Sequence, residues 1–382
     1  MLRVEALRAK QGDCLLLLYG DPSQPRVSLI DGGPRGVWRD ALQPRLAQLR
    51  TERAPERLAI DLMMVSHIDD DHIDGLIQLT ELLKEQQNSD DSFLDVDVLW
   101  HNSFDDLFGE TDTTVAAAGG LGEEPGLSEG GSFAATSVNQ GRTLRDNAAA
   151  LALNVNGPFD GLVRAGVDQS VVSLPDGLTI TVLGPEEKQL RELHEAWDKQ
   201  LMKEHKKFGP AAYLDDSFSN LASIVALMEV EGHTLLLTGD ARGDDIIRNA
   251  GAAGLLGTND QLPLDLLKLP HHGSDRNVDV DFFETFPADH YVISGDGSHG
   301  NPEVETFRML FAARGDDAKH FTIHLTYDPA SYEPYSRRRR EPAKPYPVDQ
   351  LLRVFADQEA AGQDFDVIFP GPTDISVSID LT

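Results

Sequence analysis

Ser66-His67-Ile68-Asp69-Asp70-Asp71-His72-Ile73-Asp74-Gly75 is the stretch on which the reading of this chain turns. It follows an apolar run, Leu58 to Val65, that reads as a buried strand. It precedes a segment from about His72 to Glu85 in which Ile73, Leu76, Ile77, Leu79 and Leu82 recur at helical spacing. Two imidazoles and several carboxylates are therefore packed onto a strand-to-helix turn. Such a turn aims alternate side chains at one point, and nitrogen and oxygen donors meeting at one point are what a divalent metal ion requires. A solvated acidic turn would explain the carboxylates. It would not explain the histidines, nor a polar cluster set directly against an apolar strand.

Upstream, Val4 to Ala9, Cys14 to Tyr19 and Val27 to Ile30 read as strands bounded by Gly, Pro or Asp, and Trp38 to Arg50 has helical spacing. Downstream, a strand is predicted over Leu94 to Trp100, and Ala116 to Gly131, rich in Gly, Ala and Glu without periodicity, reads as a loop. Leu144 to Leu153 is a short helix, Leu178 to Leu183 a strand, and Glu186 to Lys206 a charged helix. A strand-rich second half follows: Ile224 to Met228, Thr234 to Leu237, Leu266 to Leu269 and His290 to Ser294, with helices at Asp244 to Ala253, Asp279 to Thr285 and Pro302 to Ala313. Asp328 to Pro347 is Pro- and Arg-rich loop, and Phe365 to Phe369 and Ile375 to Asp380 are closing strands. Such alternation predicts sheets with helices outside, an α/β fold.

The 382 residues, 40% of them hydrophobic, suffice for a large core. One cysteine, Cys14, leaves no internal disulfide and fits a reducing, cytoplasmic setting. The opening residues lack the pattern of a signal peptide, and no apolar run approaches the ~20 residues that span a bilayer. A net charge of -31 argues against a nonspecific grip on long nucleic acid, which rests on Lys and Arg meeting phosphates. The basic run Arg337 to Arg340 reads either as a solvated loop or as a phosphate or partner contact.

The His67 stretch resembles the H-x-H-x-D-H signature of the metallo-beta-lactamase superfamily, with Asp69 in place of the middle histidine. This H-x-D-x-D-H form is similar to that of the soluble metallo-beta-lactamase-like domain of the DNA-uptake protein ComEC and its stand-alone relatives. Further blocks match in order: Gln11-Gly12-Asp13-Cys14, Leu29-Ile30-Asp31-Gly32-Gly33, Leu235-Leu236-Leu237-Thr238-Gly239-Asp240, Leu267-Lys268-Leu269-Pro270-His271-His272-Gly273-Ser274 and Ser298-His299-Gly300-Asn301-Pro302-Glu303-Val304. The resemblance implies a four-layer αββα sandwich over residues 1–327, with a loop and helical insertion at about 102–170 (flexible loop 116–131) and a C-terminal extension, 328–382.

It also implies one or two divalent metal ions, zinc or manganese. His67 and Asp69 would serve one, Asp71 and His72 the other, Asp240 would bridge, and His271 would be the late ligand, with His272 behind it or on substrate. Asp69, Asp71, His272 and His299 are the implied catalytic residues, and Asn220, Ser274 and Asn301 the substrate-binding ones. Where hydrolytic relatives carry a further histidine, this chain has Ser217-Phe218-Ser219-Asn220-Leu221-Ala222-Ser223. That exchange leaves one metal richer in oxygen ligands and brings harder ions such as manganese into reach. Metals of this kind activate water. The expected activity is thus hydrolysis, first of a nucleic-acid or nucleotide phosphodiester, with another ester, lactone or thioester, or a partner-dependent regulatory role, as alternatives. A protein partner and the oligomeric state stay open, and no membrane attachment is expected. The remaining histidines, His101, His194, His205, His233, His290, His320 and His324, read as surface or core residues.

Overall fold

The computed structural model describes residues 1–52, 57–87, 94–103, 129–166, 170–192, 217–257, 259–315, 319–332, 334–335 and 342–381. Residues 116–128, His194, His205, most of the charged helix expected at Glu186 to Lys206, and Arg337 to Arg340 lie outside them. Among the described residues the chain forms a mixed α/β fold built on two large sheets.

The first sheet has seven strands: β1 (Leu2–Leu7), β2 (Leu15–Tyr19), β3 (Arg26–Ile30), β5 (Leu62–Met64), β7 (Val98–Trp100), β8 (Asn154–Val155) and β17 (Ser376–Asp380), in the order β17-β1-β2-β3-β5-β7-β8. The second has eight: β9 (Val171–Ser173), β10 (Thr179–Gly184), β11 (Val225–Val230), β12 (His233–Leu237), β13 (Leu264–Lys268), β14 (Ala288–Ile293), β15 (Phe321–Leu325) and β16 (Phe365–Ile368), in the order β16-β15-β14-β13-β12-β11-β10-β9. Strands β4 (Leu58–Ile60) and β6 (Leu94–Val96) pair with each other. The helices are α1 (Gln43–Glu52), α2 (Asp70–Gln86), α3 (Glu129–Ala150), the short turn α4 (Ser217–Asn220), α5 (Gly243–Ala252), α6 (Val280–Thr285), α7 (Val304–Arg314) and α8 (Val348–Ala361).

Three apolar clusters place these elements. One joins inward residues of both sheets, among them Val4, Leu17, Met64, Ala226, Leu237, Leu266 and Val292. A second packs Leu16, Leu29 and Met63 against Leu46 of α1, Ile73 and Leu76 of α2, and Leu144 of α3. The third packs Leu236, Leu267, Tyr291 and Ile323 against Ile246 of α5, Phe282 of α6, Phe307 of α7 and Leu351 of α8. Side-chain alternation along the inner strands sends successive residues to opposite clusters, so strands such as β2, β3, β11 and β13 are buried on both faces.

The expected Leu58 to Val65 strand is instead two strands in different sheets, broken at Asp61. That buried carboxylate accepts from Tyr19 Oη at 2.7 Å and from Arg26 at 3.0 Å, and the two bonds hold the kink. The Leu94 to Trp100 run breaks in the same way at Asp97, whose N–H donates to Ile60 O. Glu129 to Gly131, expected in the loop, begin α3, and the short helix expected at Leu144 is the last part of that 22-residue helix. Neither β15 nor α8 was expected.

Candidate metal centre

The polar stretches singled out in the sequence meet where strands of the two sheets end. Asp31 follows β3, Ser66 to Asp69 follow β5, Asp71 and His72 open α2, Asp240 follows β12, and His271 and His272 follow β13. Parallel pairing of β3 with β5, of β12 with β13 and of β13 with β14 carries these ends to the same level.

Backbone contacts made possible by glycine hold the first half. Gly32 N donates to His72 O, Gly75 N donates to Gly33 O, and a Cβ on Gly75 would lie 2.0 Å from Gly32 O. The first turn of α2 therefore rests directly on the turn after β3. Asp31 Oδ2 accepts from His72 Nδ1 at 2.9 Å, and the same carboxylate takes the backbone N–H and the hydroxyl of Ser66 at 2.7 Å each. The ring of His72 is thereby fixed with Nε2 facing 3.4 Å from Asp240 Oδ1 and 3.8 Å from Asp71 Oδ1.

The second half is a tight turn, Pro270–Gly273, in which His271 (φ 46°) and His272 (φ 54°) both adopt the left-handed conformation. Such backbone costs roughly 1–3 kcal/mol per residue for a side chain of this size and persists only where neighbours impose it. His271 N donates to Gly239 O, Asn301 Nδ2 donates to His271 O, and Asn277 Nδ2 donates to Asp240 O, so this turn and that of Asp240 are one bonded unit. Both rings reach Asp240: Nε2 of His271 is 3.7 Å and Nε2 of His272 3.6 Å from its Oδ2. His272 Nε2 also lies 3.7 Å from Asp71 Oδ2.

His67 Nε2 is 3.5 Å from Asp69 Oδ2 and 3.9 Å from Asp240 Oδ2. Asp69 in turn accepts from Ser219 Oγ at 2.6 Å. Ser219 belongs to the segment that stands in for the missing histidine, and Ser223 of the same segment accepts from Asp240 N at 3.2 Å.

Opposed charges dominate the electrostatics. Burial acts to raise Asp240, but His272, His72 and His271 hold it well below the usual carboxylate range. Burial acts to lower His72, but Asp240, Asp31 and Asp71 drive it well above an ordinary histidine. His272 is likewise lowered by burial and raised by Asp240 and Asp13, ending at about 9. Asp69 stays below its usual range because the His67 ring and Ser219 outweigh its burial.

Asp13, His72, Asp240 and His272 are all buried, with one donor atom from each within 4.8 Å of the others, a group that can hold a metal ion. The carboxylate of Asp13 is already engaged, by Lys268 Nζ at 2.6 Å and by the hydroxyl of Ser294. Asp71, in contact range of both buried rings, is the better fourth donor. Nε2 of His67, His72 and His272 and Oδ1 of Asp240 are buried without a hydrogen-bond partner. Buried polar atoms are almost always satisfied, so four orphans aimed at one volume fit a cation that takes their lone pairs.

Of the other expected residues, Asn220 is buried with Oδ1 lacking a partner. Ser274 and Asn301 serve the His271 turn: Ser274 Oγ donates to Glu303 and Asn301 Nδ2 to His271 O. His299 is exposed in a left-handed turn (φ 59°), and no hydrogen bond or ion pair joins it to the cluster among the described residues. The sequence reading gave no individual role to Asp13, Asp31, Ser66, Ser219, Lys268, Asn277 or Ser294. Lys268 carried the clearest signal, because an ammonium inside Leu266-Leu267-Lys268-Leu269 demands a buried anion. His290 and His324 hydrogen-bond to each other at 3.0 Å, and His233 bonds to Asp265.

No family model matches the chain, and no curated protein matches it. Solved structures do. A Parabacteroides distasonis protein provisionally described as a metal-dependent hydrolase aligns over 84% of this chain and 91% of its own, at 10% identity and a TM-score of 0.35. A metallo-beta-lactamase family protein from Thermus thermophilus aligns over 65% and 68%, at 15% identity and a TM-score of 0.29. A protein of unknown function from Enterococcus faecalis aligns over 97% and 88%, at 11% identity and a TM-score of 0.30. Among the described residues no helix is long and apolar enough to cross a membrane.

Proposed function

We propose that this chain is a metal-dependent hydrolase of the metallo-beta-lactamase fold, an αββα sandwich, and that its substrates are phosphodiesters. The observation that carries the reading is the set of buried, unpartnered ligand atoms around Asp240: Nε2 of His67, His72 and His272 and Oδ1 of Asp240 itself. His67, Asp69, Asp240 and His271 would hold one cation, and Asp71, His72, Asp240 and His272 the other, with Asp240 shared. Charge supports two. Asp13, Asp31, Asp69, Asp71 and Asp240 set five carboxylates against the one ammonium of Lys268, and the four negative charges left are those that two divalent cations neutralise. Each set offers two imidazoles and two carboxylates, a mixed donor set that suits zinc and manganese alike.

When bound, such cations lower the pKa of water and draw charge from the attacked group. The protein's own residues prepare that chemistry. Asp31 fixes the Nδ1 side of His72, leaving its Nε2 free as a donor. Ser219 holds Asp69 at the open side of the cluster, where that carboxylate accepts a proton from water. Asn220 offers Oδ1 to a substrate hydroxyl or a water. His299, exposed two residues before the Asn301 that donates to His271 O, is assigned as proton donor to the leaving group.

In this reading residues 1–327 form the catalytic unit and 328–382 an extension, and the enzyme works in the cytoplasm. A net charge of -31 favours a nucleotide or a short single strand over long duplex. The experiment is metal content by mass spectrometry on the purified chain, run beside hydrolysis of bis(p-nitrophenyl) phosphate and of short single-stranded DNA with added manganese or zinc. Turnover that needs metal and is lost in Asp71→Ala is the expected result. Bound metal without phosphodiester turnover moves the substrate to another ester, a lactone or a thioester. A chain that binds no metal ends the proposal.

A further inference from the structure

Lys268 lies on β13 among the buried Leu266, Leu267 and Leu269, and its side chain is 1% exposed. Its ammonium donates to Leu269 O at 2.8 Å and pairs with Asp13 at 2.6 Å, whose side chain is 2% exposed. Apolar residues of similar volume often serve stability as well as a buried ion pair does, so stability alone does not explain this one. The far side of Asp13 supplies a reason. Its Oδ1 accepts from Ser294, and both that oxygen and Ser294 Oγ lie 3.4 Å from Nδ1 of His272, whose Nε2 is one of the unpartnered atoms facing Asp240 and Asp71.

The two buried rings are thus held in different ways. His72 bonds at 2.9 Å to Asp31, a carboxylate with no ammonium or guanidinium partner among the described residues. His272 stands at a longer distance from a carboxylate whose charge Lys268 offsets. An uncompensated Asp13, buried in the same way, would be free to swing onto the ring. Lys268 pins it from the opposite side.

We propose that Lys268 is a positioning residue for the metal centre: it fixes Asp13, and Asp13 fixes the Nδ1 side of His272 so that Nε2 presents its lone pair to the cation. The proposal rests on the metal-dependent reading above, and goes beyond it by adding a buried cation to the machinery that orients a ligand.

The test is cobalt(II) binding by the full-length chain, followed by equilibrium dialysis and by visible absorption, for the wild type, Lys268→Met, and Lys268→Met with Asp13→Leu. The double change replaces the pair by apolar side chains of similar size, which buried pairs tolerate. It also leaves the net charge of the pocket unaltered, so it removes the holder of His272 without changing the Coulomb attraction for the cation. The expected result is cobalt held about 10–100-fold more weakly by the double variant, with shifted visible bands. Lys268→Met should shift the bands as well, and if it fails to fold the double variant carries the test alone. A double variant equal to the wild type in affinity and spectrum overturns the positioning role and leaves the metal reading standing. A wild type that binds no cobalt overturns the metal reading itself.

Discussion

Oδ2 of Asp31 lies 2.9 Å from Nδ1 of His72, and the same carboxylate satisfies the backbone N–H and hydroxyl of Ser66, so one buried group locks a strand end and the His72 ring together. Asp31→Ala should therefore do two things. Metal affinity should fall about 10–100-fold as the ring loses its holder, and stability should fall by about 1–3 kcal/mol as the buried Ser66 N–H loses its acceptor. Chelator competition and urea unfolding measure the two losses separately. An affinity within twofold of wild type would mean that packing alone orients His72.

Gly75→Ala is a test whose sign is informative. Within a helix, alanine is favoured over glycine by about 1 kcal/mol. At Gly75 the added Cβ would meet the backbone oxygen of Gly32 at 2.0 Å, and a backbone atom cannot turn aside. Overpacking of this kind costs typically 1–3 kcal/mol or more. The variant should melt earlier than wild type and lose metal affinity with it, because His72 rides on the displaced turn. A gain in stability would remove the close approach from the account.

Cation binding should release protons. His272, held at about 9 by Asp240 and Asp13 against its burial, carries a proton at pH 7 until a metal displaces it, and Asp240, Asp31 and Asp71 drive His72 upward in the same direction. Apparent affinity should accordingly rise with pH between 7 and about 9. Calorimetry at pH 7 in two buffers of different ionisation enthalpy reads the proton count directly. Identical heats in the two buffers would show that the rings are neutral beforehand.

Away from the site, His324 gives the fold a dependence on acid. Burial, and then the neighbouring His290, hold it at about 3, below its ordinary value of 6.5. Folding thus favours the neutral ring, while the unfolded chain takes up a proton below pH 6.5. The contribution to stability is intact above pH 6.5 and is lost as pH falls from 6.5 toward 3, with a slope of up to ~1.4 kcal/mol per pH unit. Urea unfolding of wild type and His324→Gln between pH 7 and 4 should show the gap narrowing or reversing as acid is added. Parallel curves would be the contrary result.

A buried pair outside the site offers a control for the energetics. Arg45 grips Glu5 through two bonds, of 2.6 and 2.8 Å. Arg45→Met leaves Glu5 buried without its cation and should cost about 3–5 kcal/mol, most of it recovered by adding Glu5→Leu. Thermal melts of the three chains decide the matter.

Much of this was legible from residue order. The strands at Leu15 and Arg26 and the helix at Asp70 follow from period and composition, and the candidate metal cluster from histidines and aspartates placed beside apolar runs. Asp61 and Asp97 broke two strands that hydropathy ran together, because a buried acid within an apolar run marks a kink only once its partners are known. Helix α8 carries Leu351, Val354 and Phe355 at helical spacing, but the Pro-rich stretch before it drew the eye to a loop. His271 is the expected late ligand, with His272 behind it, because it comes first after the strand. Two successive left-handed residues bring both rings to Asp240 instead. Lys268 could not be given its partner, since Asp13 lies on the first turn of the other sheet.

The bond from Ser294 to Asp13 joins residues 281 positions apart. During synthesis, therefore, the half-site at His67 to His72 emerges long before the groups that complete it. A cation that met the growing chain would find loose carboxylates and one exposed pair of rings, with none of the opposing turn to hold it. The cluster is therefore assembled only once both sheets have docked, and a cation held there would tie the two halves of the chain to each other.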